Sequence, residues 1–195
     1  MRFGKILFAF VLICIAVPKS PLSAGVNDEM TRHPIYFKTQ YAGNMGLMSV
    51  GAGKGIFFEK MTLDVNYGYL PKWVNGVSVH TVALRPAVNF EGFSLANLQF
   101  DYYAGLSITY SVANHTYILY PRYFPFEYYL PNAVHFNPMF GLNASKALSG
   151  DGLFSSLAFF AELGALDIKL RDSFTNRVIS AFNVWNLSFG FALTL

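Results

Sequence analysis

Cysteine is almost absent from this chain: Cys14 is the only one, and it sits inside an N-terminal apolar run. The rest of the chain can therefore form no disulfide and no cysteine-ligated metal centre. Charge is scarce, with charged residues at 13% against 53% hydrophobic. Long apolar runs are missing as well, since no stretch reaches the roughly 18 consecutive apolar residues that signal a membrane-crossing helix. No basic patch of the kind that tracks a phosphate backbone is present, which argues against nucleic-acid binding. The four histidines, His33, His80, His115 and His135, lack metal-ligand spacing, and no acidic loop has the pattern of a calcium site, so no metal and no cofactor is expected. A chain this apolar without apolar runs must spread its apolar residues at a regular interval. That interval is two.

The N-terminus is a separate matter. Arg2 and Lys5 precede the apolar run Ile6 to Val17, and Pro21-Leu22-Ser23-Ala24 supplies small residues at a cleavage point after Ala24. This is the layout of a secretory signal peptide. The apolar run falls short of the ~20 residues a spanning helix needs. Cys14 follows Ile13, where a lipid-attachment motif has a small residue, so lipidation is not expected. The reading divides the chain into a signal peptide, 1–24, and one domain, 25–195. Removing Arg2, Lys5 and Lys19 from the fourteen Lys and Arg leaves eleven, equal to the eleven Asp and Glu. The apparent basicity belongs to the targeting segment.

The alternation is plainest at the C-terminus, from Val184 to Leu195. Trp185, Leu187, Phe189, Phe191, Leu193 and Leu195 form one apolar row, and Asn186, Ser188, Gly190, Ala192 and Thr194 form the other. Such a strand at the edge of a soluble sheet would invite aggregation, whereas about 9–11 residues is what a tilted β-strand needs to cross a membrane. Upstream, the same pattern predicts strands at 35–41, 46–57, 61–70, 77–90, 98–112, 134–146 and 156–170. Gly51, Gly53 and Gly55 share one row of the second strand, as suits a crowded interior; no helix pattern follows them, which disfavours a phosphate-binding loop. Pro86 is expected at a bulge or a locally unpaired position. In the seventh strand the alternation slips near Gly164, which predicts a bulge. The links at 58–60, 91–97 and 148–152 then fall at one end and those at 43–44, 71–76, 113–133 and 171–181 at the other. The expected fold is all-β: an antiparallel up-and-down transmembrane β-barrel of about eight strands, with six or ten as alternatives.

Ser188, Gly190, Phe191 and Leu193, followed by Leu195, resemble the closing-strand signal of small bacterial outer-membrane β-barrels: polar, any, Gly, apolar, any, apolar. That family usually ends in Phe where this chain has Leu195. The resemblance implies Gram-negative export, residence in the outer membrane among its lipids, and recognition by the barrel-assembly machinery.

Function is written more faintly. A barrel of eight strands is filled by its own side chains, so the inward charges Asp64, Arg85, Asp101 and Glu162 are expected to pair as a polar lumen network. The stretch 113–133, with Tyr120, Arg122, Tyr123, Phe124 and Phe126, is the candidate surface for an external ligand. The expected protein is a monomer with a structural, surface-interaction or minor solute-passage role. The alternative is a lipid-modifying enzyme, because the resembling family includes lipid A deacylases and palmitoyltransferases. The deacylase pattern His-x-Ser-Asn is absent, and His135-Phe136-Asn137 comes nearest. Two arrangements of base and nucleophile can be written: His80 with Ser78, and His135 with Ser111 and Glu127.

Overall fold

Side chains that alternate apolar with small or polar cannot bury one face of a helix, but they give a strand one apolar and one polar face. A closed sheet of such strands separates the two rows into an outside and an inside. The computed structural model describes residues 34–57, 60–113, 133–148, 152–175 and 181–195. The expected signal peptide, residues 114–132 of the aromatic stretch and the Ser149-Gly150-Asp151 turn lie outside the described residues.

Eight strands follow in chain order: β1 (Ile35–Ala42), β2 (Met48–Ile56), β3 (Met61–Leu70), β4 (Val79–Leu95), β5 (Leu98–Val112), β6 (Val134–Ala147), β7 (Ser156–Ala165) and β8 (Trp185–Thr194). Each pairs antiparallel with the next, and β8 pairs with β1 to close the barrel. The six- and ten-stranded alternatives are thereby removed. Tyr36 lies opposite Thr194, and the Leu195 N–H donates to the Ile35 carbonyl at 2.9 Å, so the two ends of the barrel's chain meet at one rim. The opposite rim carries the connections that follow β1, β3, β5 and β7.

Two expectations need correction. The seventh strand does not run to Leu170. It ends at Ala165, and Asp167–Thr175 forms a helix, so the slip near Gly164 marks the end of the strand and not a bulge, and the expected loop from Arg171 begins as helix. Leu166, Ile168 and Leu170 satisfy a period of two over too few residues to exclude a helix, and Asp167 sits at its start, where a carboxylate meets unpaired N–H groups. The second correction concerns the 91–97 link. β4 continues through Leu95 and turns at Ala96-Asn97. Both turn residues have positive φ, 49° and 65°, the signature of a type I′ hairpin. Glu91 and Gly92, which look like a turn, instead fall where the β4–β5 register shifts, between Phe90 and Phe93. Pro86 falls where β4–β5 pairing is interrupted, between Leu84 opposite Ile108 and Ala87 opposite Gly105.

The inner row is crowded, and glycine makes the room. A Cβ on Gly51 would strike the Asn66 side chain, one on Gly53 would strike Asp64 and Tyr36, and one on Gly141 would strike the Tyr103 ring. The outer row carries exposed apolar side chains on every strand, including Phe37, Val50, Val65, Leu84, Phe136 and Phe191, with Thr39 and Lys54 as polar members on β1 and β2. The core of this molecule is polar and its surface is greasy.

Candidate functional site

The lumen is held by two ion pairs set on four strands. Lys38 of β1 bonds to Asp64 of β3, and Arg85 of β4 bonds to Glu162 of β7. Tyr36 also donates to Asp64, and Tyr103 donates to Glu162 at 2.8 Å. Arg85 is 0% exposed; its guanidinium reaches Gln40 at 3.0 Å and the Met139 sulfur at 2.7 Å. The Lys38 ammonium lies 5.1 Å from the centre of the Phe160 ring. Two cations thus face two carboxylates, as burial of charge requires.

Three of the four inward charges singled out in the sequence, Asp64, Arg85 and Glu162, come together here. Asp101 does not. It lies lower on β5, half-buried, accepting from Gln99 Nε2 at 3.0 Å and the Gly92 N–H at 3.4 Å. Sequence reasoning missed Lys38, Tyr36, Gln40 and Tyr103. The signal was available for β1, because Tyr36, Lys38 and Gln40 form one row of that strand.

Above this network the β1–β2 connection folds inward as a plug. Gly43 and Gly46 have φ of 91° and 125°, values open to glycine, and Met45 is buried by the turn they make. A Cβ on Gly68 would meet the Met45 carbonyl, which shows how closely the loop presses on β3. Asn186 Nδ2 donates to Asn44 Oδ1 at 2.5 Å and ties the loop to β8. Below the plug, a void of about 10 Å³ remains among Arg85, Ser107, Asn137, Met139 and Glu162. Above it, a cleft of about 570 Å³ opens at the rim.

The rim also carries a His–carboxylate pair. His135 Nδ1 lies 3.0 Å from Asp167 Oδ1, with the side chains 14% and 32% exposed. Asp167 is further fixed by accepting the N–H groups of Phe136 at 3.1 Å and Ile168 at 2.7 Å. Asn137 donates to Thr109 at 3.3 Å. The catalytic arrangements written from the sequence fare differently. His80 points outward, with Tyr67 Oη 2.6 Å from its Nδ1 and the Tyr69 ring 5.0 Å away; no bond joins it to Ser78. Ser111 lies 3.1 Å from the Thr81 hydroxyl, and Glu127 lies outside the described residues. Tyr120, Arg122, Tyr123, Phe124 and Phe126 lie outside them too.

Of the expected assembly signal, Ser188 and Gly190 point inward while Phe191 is exposed. Gly190 has a steric reason to be glycine, since a Cβ there would meet the Thr39 carbonyl and lie 2.7 Å from the Phe160 ring. Among the described residues no three His, Cys, Asp or Glu side chains gather into a metal site, and no helix is long and apolar enough to cross a membrane. No protein-family model matches the chain, and no curated protein matches it.

Proposed function

We propose that this chain is a monomeric outer-membrane β-barrel of Gram-negative type, exported by a cleaved signal and closed by the barrel-assembly machinery. Its role is non-enzymatic: envelope structure and surface interaction at the rim that bears the 113–133 stretch. One observation carries the reading. The barrel is inside out, with exposed apolar side chains on all eight strands and paired charges within. In water such a surface would aggregate; in hydrocarbon it is the low-energy arrangement, because closing the sheet on itself pairs backbone groups that an open edge would leave exposed. The filled lumen argues for structure and interaction over solute passage.

The test is fractionation of expressing Gram-negative cells, with folding read by the mobility shift of an unheated sample on a denaturing gel. Recovery in the outer membrane as a heat-modifiable band supports the proposal. Recovery of soluble protein from the periplasm overturns it.

A second reading, a lipid-modifying hydrolase or acyltransferase, draws on the His135–Asp167 pair, the geometry of a base held by an orienting acid. Mass spectrometry of envelope lipids from cells with and without the folded protein separates the two. A discrete gain or loss of an acyl chain establishes the enzyme, and unchanged lipids eliminate it.

A further inference from the structure

The seam that closes the barrel does not run the full height of β8. The β1–β8 ladder ends at Ala42 opposite Ser188, while the β7–β8 ladder continues through Leu187, Asn186 and Trp185. The chain that would have stood beside those last residues is the Gly43–Gly46 plug, which has turned into the lumen. Shortening β1 and tucking its loop inward leaves a notch in the β1–β8 pairing, and its residues Leu187, Asn186 and Trp185 are among those that line the rim cleft of about 570 Å³.

The cleft's lining comes from both faces of the sheet. Leu187 and Trp185, 58% and 38% exposed, belong to the outer row of β8. Asn186, Thr81 and Ser111 belong to inner rows, and Lys169 reaches in from the helix after β7. Residues of both rows thus line one cavity. Its volume falls within the about 300–1,000 Å³ of small-molecule sites.

Resting on the membrane reading above, we propose that this notch binds one acyl chain of an anionic membrane lipid, entering between β1 and β8, with its head group held by Lys169 and the amides of Asn44 and Asn186. The polarity is ordered for such a ligand. The outward lip is Leu187 and Trp185, an apolar edge continuous with the lipid-facing row, while the inner wall offers the Thr81 and Ser111 hydroxyls, the Asn44 and Asn186 amides and the Lys169 ammonium. Lys169 has no ion-pair partner among the described residues. The Asn44–Asn186 bond uses Asn44 Oδ1, which leaves Asn44 Nδ2 to donate. An acid head group accepts from both an ammonium and an amide, and charge assistance strengthens such bonds.

Trp185 supplies the probe, because Trp73 is the only other tryptophan. The Trp73→Phe protein, purified from the membrane, is reconstituted in phosphatidylcholine vesicles containing increasing amounts of brominated-chain phosphatidylglycerol, whose bromines quench nearby indole. The expected result is quenching in excess of the lipid's mole fraction, saturating at low fraction, lost in Lys169→Gln and retained in Lys169→Arg. Quenching that merely follows mole fraction, identical in all three proteins, overturns the notch while leaving the membrane reading standing. Failure of the protein to float with the vesicles overturns the membrane reading itself, and the notch with it. The helix substitutions lie off the barrel ladder, so folding is not at stake.

Discussion

Arg85 is where the cost of burying charge is concentrated. Its guanidinium is fully enclosed and bonded to Glu162, Gln40 and Met139, and removing it leaves Glu162 facing the Tyr103 hydroxyl with no cation of its own. Arg85→Ala is expected to destabilise the folded barrel by about 3–5 kcal/mol, the usual penalty for orphaning a buried partner. Urea unfolding of vesicle-inserted protein measures it, and the double variant Arg85→Met with Glu162→Gln is expected to recover part of the loss. Asp101→Asn should change stability by no more than about 0.5 kcal/mol, because that carboxylate is half-buried and meets neutral donors. Alternation alone marks Asp64, Arg85, Asp101 and Glu162 as inward and cannot rank them. Direction follows from the period of two; depth along the barrel follows from register, which puts Asp64 opposite Arg85 but Asp101 opposite Asn143 nearer the terminal rim. Register depends on turns that one sequence leaves ambiguous.

At the scale of elements, the strands were legible where alternation is long and the flanking turns short. β3 and β5 have the expected bounds, and β1, β2, β6 and β8 differ by a residue or two. The misreadings lie where composition imitates another element. Glu91-Gly92 has turn chemistry but sits in a register shift, whereas the real turn, Ala96-Asn97, contains an alanine at a left-handed position. The inward plug was legible only as a Gly43-Asn44 turn, because nothing in a glycine pair says which way the loop folds. The β4–β5 turn yields a prediction. An L-residue in the left-handed region costs roughly 1–2 kcal/mol that glycine avoids, partly offset by glycine's greater loss of entropy. Ala96→Gly is therefore expected to stabilise the hairpin by up to about 1 kcal/mol, visible as a higher urea midpoint with an unchanged slope. A lower midpoint would show that the turn is held by contacts of the Ala96 methyl group.

For the whole molecule, the same four charges that tie β1, β3, β4 and β7 across the lumen also close it. A void of about 10 Å³ holds roughly one water and no hydrated ion. Two barriers stand in series, the Met45 plug at the rim and the charged network beneath, and they are built from different parts of the chain. The wild-type protein in planar bilayers is expected to give no discrete current steps, and Met45→Ala is expected to give none either, because the charges below Met45 remain paired. Steps in Met45→Ala alone would make the plug the sole gate and the network a lining that ions can pass. Steps in the wild type would mean that both barriers yield under voltage, and solute passage would return as the working role. Silence in both leaves the lumen as a structural core and places any exchange with the surroundings at the rim, where the cleft and the His135–Asp167 pair lie.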